Sequence, residues 1–173
     1  MDLNKYTEKA QQAVLAAQQA AERASHASID VEHLLQALVT QQDGVVPQLL
    51  SKLNVDPRQL ETRLAAELDR LPRAYGSQLV LSPRLKKVLD VAQQEADRLK
   101  DDYVSTEHLL IAIAMETGQG PASRLLRDLG VTRDRIYEVL SQVRGNQRVT
   151  DQSPEGKYQA LEKYGRDLTD LAR

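Results

Sequence analysis

The segment YTEKAQQAVLAAQQAAERASHASIDVEHLLQAL (6–38) returns 75 residues later as LSPRLKKVLDVAQQEADRLKDDYVSTEHLLIAI (81–113). Ala17, Gln18, Gln19, Ala21 and Arg23 recur as Ala92, Gln93, Gln94, Ala96 and Arg98. Glu32, His33, Leu34, Leu35 and Ala37 recur as Glu107, His108, Leu109, Leu110 and Ala112. After a one-residue insertion, Leu49, Leu50, Leu53 and Val55 match Leu125, Leu126, Leu129 and Val131 at offset 76. A duplication on this scale requires both halves to adopt the same substructure, so the chain reads as one pseudo-twofold domain.

Each half carries the signals of four helices. Tyr6, Ala10, Ala13, Val14, Ala17, Ala21 and Ala24 fall on one face of a helix, as do Leu85, Val88, Leu89, Ala92, Ala96 and Leu99. Thr7 and Ser82 stand where N-caps are needed, and Pro83 occupies a tolerated first-turn position. Asp30 and Ser105 cap the helices containing the Glu-His pairs, and short helices follow near 45–53 and 121–129, the latter stopped by Gly130. A last pair spans about 57–71 and 132–144. The spacing therefore predicts an all-α, eight-helix domain over 1–144, built from tandem four-helix repeats at about 4–71 and 81–144. GNQRVTDQSPEGK (145–157) is polar and rich in turn formers, which predicts a flexible linker, and YQALEKYGRDLTDLAR (158–173) predicts a short helical tail.

The chain contains no cysteine, so disulfides, thiolate metal sites and cysteine nucleophiles are excluded. Its net charge of −2 and lack of like-charge blocks argue against a nucleic-acid or membrane partner held by bulk charge. Five arginines surround the helix-turn-helix-like LLRDLGVTRDRIYEVLSQVR (125–144), but the corresponding first-half segment is less basic, and a structural helix pair explains both. The start MDLNKYTEKAQQ lacks the features of a signal peptide, and LLIAIAM (109–115) is too short to span a bilayer; the expectation is a soluble, cytoplasmic protein.

The repeated Glu-His pair invites a metal or acid-base reading. His33 and His108 each lack a second ligand one helical turn away, and His26 falls in a loop, so no metal is expected. Glu32 and Glu107 fall in first turns, where a carboxylate gains ~0.3–1 kcal/mol from the helix dipole, leaving His108 as a bystander. Asp101 and Asp102 read as a solvated turn. No nucleophile motif or phosphate loop is present, so the chain is expected to have no active site and no cofactor of its own.

Two helical repeats, each with Thr or Ser opening the first helix and EHLL opening the second, resemble the Clp N-terminal domain of double-ring AAA+ unfoldases over residues 1–144. The stretch ELDRLPRAYGSQLVLSPRLKKVL and the tail YQALEKYGRDLTDLA resemble the ClpB-type disaggregases, in which such a tail leads into the first ATPase module. The resemblance implies capture of exposed apolar segments of unfolded or aggregated polypeptides and their transfer to an ATPase ring. It implies a homohexameric parent that uses ATP and Mg and works with a DnaK-type system. It also implies substrate-binding roles for Thr7, Asp101 and Glu107, with their repeat partners Ser82 and Glu32 as a secondary set. Val91, at the margin of its helix's apolar stripe, and Leu81 are expected to line one shallow groove with Asp101 and Glu107 at its rim. An adaptor-docking domain of a ClpA- or ClpC-type unfoldase that feeds a protease is the alternative.

Overall fold

The computed structural model describes residues 2–155 except 77, 119 and 146. The tail expected at 158–173 lies outside them. Eight α-helices occupy the described residues: α1 (Glu8–Arg23), α2 (Val31–Thr40), α3 (Val45–Lys52), α4 (Pro57–Asp69), α5 (Pro83–Arg98), α6 (Thr106–Ala114), α7 (Pro121–Asp128) and α8 (Arg133–Arg144). The caps act as the sequence indicates: Thr7 Oγ1 accepts the Ala10 N–H and Ser82 Oγ the Leu85 N–H. The duplication extends to backbone geometry. Ser25 and Lys100 turn the chain with φ of 55° and 59°, and Asn54 and Gly130 do so with 62° and 76°. Both are places where only left-handed backbone reverses direction quickly enough.

α2 and α6 lie at the centre. Leu34, Leu35 and Leu38 of α2 and Leu109, Leu110, Ile111 and Ile113 of α6 are shut off from solvent, and each such side chain contributes ~1.5–3 kcal/mol through burial. α1 packs on α2 and α5 on α6. Ala10, Ala13, Ala17 and Ala21 form the buried stripe of α1, and side chains this small let two backbones approach closely. No helix among the described residues is long and apolar enough to cross a membrane.

Two features were not foreseen. First, the halves exchange their leading segments. β1 (Ser28–Ile29), which precedes α2, pairs in parallel with β2 (Val80–Leu81), which precedes α5; Tyr6, which precedes α1, bridges in parallel to Val104, which precedes α6. The bonds are equivalent: Ser82 N–H donates to Ile29 O, and Thr7 N–H to Val104 O, both over 2.9 Å. Each first-type helix therefore starts beside the second-type helix of the other half.

Second, the segment expected to be a flexible linker does not leave the domain within its described part. Val149 N–H donates to Asp101 Oδ1 at 2.8 Å, Asp102 N–H to Val149 O at 2.7 Å, and Glu8 N–H to Gln152 O at 2.8 Å. Val149 and Glu155 are wholly buried. The polar composition that suggested mobility is satisfied by protein partners more than a hundred residues earlier for Gln152 and Glu155, which local sequence reading does not see.

Candidate functional site

The exchange of leading segments creates two related heads, each made of one N-terminus from either half. In the first, α5 starts beside α2. The Ser82 hydroxyl donates to Asp30 Oδ1 (2.9 Å), and Arg84, two residues on, reaches across to Glu32 (3.1 Å), Asp30 (3.4 Å) and Glu116 (2.9 Å). Glu32 is fully buried. Burial pushes its carboxyl pKa up, against the pull of the Arg84 guanidinium. The gap that admits Arg84 is left by Gly120, where a Cβ would lie 1.9 Å from Arg84 Nη2.

In the second head, α1 starts beside α6. The Thr7 hydroxyl donates to Glu155 Oε1 at 2.8 Å. Glu107 is completely buried, and among the described residues neither of its carboxyl oxygens has a side-chain hydrogen-bond partner; burial raises its pKa, opposed chiefly by His108 and Arg144. Asp101 receives three hydrogen bonds: from His108 Nε2 (2.8 Å), Arg144 Nη2 (2.6 Å) and the Val149 N–H. Burial alone would raise this carboxyl, but those donors hold it at about 2.

The histidines complete the helix starts. His108 Nδ1 accepts the Ser105 N–H (2.8 Å) and His33 Nδ1 the Asp30 N–H (2.9 Å), each closing a capping box. With Nδ1 accepting, the proton of neutral imidazole sits on Nε2, which donates to Asp101 in one head and to His26 Nδ1 (2.7 Å) in the other. Burial first, then the neighbouring His26, pushes His33 down to about 4. The expectation that His108 is a bystander is therefore corrected, as is the reading of Asp101 as part of a solvated turn: it is buried, and only its neighbour Asp102 is exposed.

The expected site residues divide among three places. Thr7, Asp101 and Glu107 belong to the second head, yet all are buried. Ser82 and Glu32 belong to the first. Leu81 borders a separate cleft with Tyr6, Leu89 and Asp90. Val91 lies in a groove of about 670 Å³ between α5, α6 and the start of α7, with Val88, Ala112, Met115 and Pro121 as apolar lining and Arg84, Lys87 and Glu116 at the rim. The single groove expected to unite Val91 and Leu81 with Asp101 and Glu107 does not form, because Asp101 and Glu107 face inward at the head of α6 while the groove runs toward its C-terminal end.

The groove's apolar character is peculiar to the second half. At the corresponding first-half positions Val88, Val91 and Met115 are replaced by Ala13, Ala16 and Thr40. Gln41, which corresponds to Glu116, instead extends its amide to Lys9 O at 2.9 Å. Val88, Met115 and Arg84 were missed in the sequence. Comparing the halves for where they differ, rather than where they agree, would have found them.

The Clp repeat (R) N-terminal domain model matches residues 5–129. The whole chain aligns at 43% identity with the chaperone protein ClpB of Nitratidesulfovibrio vulgaris and spans about a fifth (21%) of that protein's length. The fold is that of the Hsp104 N-terminal domain from Candida albicans (TM-score 0.76, 20% identity, covering 87% of this chain and 99% of that one). It is also that of a ClpV N-domain in complex with a VipB peptide (TM-score 0.69, 15% identity, covering 84% and 90%).

Proposed function

The chain belongs to the Clp repeat (R) N-terminal domain family, and on that premise we propose that it is the client-engaging domain of a ClpB-type disaggregase. It takes exposed apolar segments of unfolded or aggregated polypeptides and passes them to an ATPase ring. The hexameric parent, its ATP and Mg, its DnaK-type co-workers and its cytoplasmic location are parts of the same proposal. The observation that carries it is the groove floored by Val88, Val91 and Met115. The partial exposure of Val91 and Met115 leaves apolar surface for a partner to cover. Charged groups at the rim and an apolar floor suit a flexible segment read for hydrophobicity rather than sequence.

An extended client covering ~400 Å² of apolar surface would gain ~10 kcal/mol at ~25 cal/mol/Å². Association and ordering of the segment offset most of that, leaving the weak capture that a catch-and-release domain requires. Titrating the chain with a permanently unfolded protein, reduced and carboxymethylated α-lactalbumin, should shift the amide resonances of Val88, Val91 and Met115. Val91→Glu should weaken that binding at least tenfold. Shifts confined to other surfaces, or undiminished binding by V91E, would discard the groove.

A further inference from the structure

Residues 147–155 lie against the second head as a peptide ligand would. The backbone trades hydrogen bonds with Asp101, Asp102 and Glu8; the Val149 side chain is buried in the apolar core, and the Glu155 carboxyl ends against Thr7. The duplication explains why this head takes such a ligand. In the first head, Asp30 receives the hydroxyl of Ser82. The position corresponding to Asp30 is Ser105, which has no carboxylate, and Glu155 supplies one from far along the chain.

The substitution is imperfect. Glu32 of the first head is answered by Arg84, whereas among the described residues no side chain bonds either oxygen of Glu107, and the buried carboxyl whose charge it feels is another acid, Glu155. Two buried carboxylates at close quarters cannot both hold their charge cheaply.

We propose that residues 147–155 are an intramolecular latch on the cleft formed by Thr7, Asp101 and Glu107, closed while the Glu107–Glu155 pair holds a proton and released as both carboxyls ionise. Release uncovers the cleft for an extended client segment. That last role rests on the client-engaging reading above; the latch itself does not.

The charged groups around the pair fix the sign. Burial and the charge of Glu107 push Glu155 up to about 7, with the Thr7 hydroxyl opposing. Around Glu107, the Arg144 cation favours the ionised form and the Asp101 charge disfavours it, while His108, whose Nδ1 accepts from the Ser105 N–H, adds its pull only when protonated. A glutamate on a released, solvated strap titrates near ~4.3. Docking therefore takes up a proton: the latch is tightest at low pH and loosens as pH rises through about 7.

Hydrogen exchange in this chain, normalised for intrinsic rates, tests the latch without any client. Protection of the Val149 and Asp102 amides should be about tenfold greater at pH 6 than at pH 8, relative to the Leu110 amide in α6. Glu155→Gln, whose amide can donate to ionised Glu107 and whose carbonyl can accept from Thr7, should keep the strap protected at both pH values. Protection that changes in parallel at Val149 and Leu110, or an E155Q strap with the wild-type pH dependence, overturns the latch. With carboxymethylated α-lactalbumin present at pH 8, shifts at the Thr7 and Glu107 amides that E155Q suppresses support access of clients to the cleft. Shifts restricted to the Val91 groove overturn that access. Failure of V91E to weaken binding bears on the groove alone.

Discussion

Arg144 Nη2 donates to Asp101 Oδ1 over 2.6 Å, tying the last residue of α8 to the loop that enters α6. Both side chains are almost wholly buried, so the ion pair cannot fall back on water if one partner is lost. Arg144→Met is expected to destabilise the fold by ~3–5 kcal/mol, because it strips a buried carboxylate of its cation. Urea denaturation followed by circular dichroism measures the loss; a cost below ~1 kcal/mol would show that the pair is not structural.

Asp101 also predicts a window of acid sensitivity. Its carboxyl is held at about 2 in the fold and returns to the ordinary ~3.9 on unfolding. A depressed native value stabilises above the unfolded one, so this contribution, ~2 kcal/mol, is complete above pH 4 and disappears as pH falls toward 2. The stability gap between wild type and Asp101→Asn should therefore narrow between pH 4 and pH 2. A gap that is flat across that interval would refute the assignment.

His33 acts in a different interval. It is neutral and buried against His26, with a value near 4, while the unfolded chain binds the proton from ~6.5 downward. Stability is lost as pH falls from about 6.5 to 4, by up to ~3 kcal/mol, and then levels. An NMR titration of the His33 ring should show no protonation above pH 5. The pH slope of stability in this interval should shrink in His33→Gln.

The difference between the two halves offers a direct test of the groove. Giving the second half the residues of the first, Val91→Ala with Met115→Thr, keeps the fold because the first half forms the same helices with Ala16 and Thr40 at the matching, exposed positions. Both sites are only partly buried, so the stability cost should stay below ~2 kcal/mol. Client affinity, read by fluorescence anisotropy with a labelled unfolded chain, should fall at least fivefold. Equal affinity in the doubly substituted protein would move the client site elsewhere.

Much of the architecture was legible because its signals are local. Thr7 and Ser82 cap the helices they precede, and Gly130 ends α7 with positive φ. The fixed offset then gave the second half for the cost of reading the first. What escaped depends on partners remote in sequence. Nothing near Asp101 announces that Arg144 and Val149 will meet it, so a buried, triply bonded carboxylate read as half of an exposed turn. His108 and His33 looked isolated because their bonds run to a helix-start N–H and to residues seven positions back. In the strap, Val149 is one aliphatic residue in a polar stretch, too little to mark a docked segment.

The crossed pairing of Tyr6 with Val104 and of Ile29 with Leu81 bears on the origin of the chain. A lone four-helix unit would carry a leading segment with no partner of its own and a second helix whose approach was left bare. Two such units satisfy each other completely, reciprocally and by the same bonds. The bridges are therefore those of an isologous dimer, now held in register by a covalent tether, and excising either half should yield a species that self-associates rather than a stable monomer.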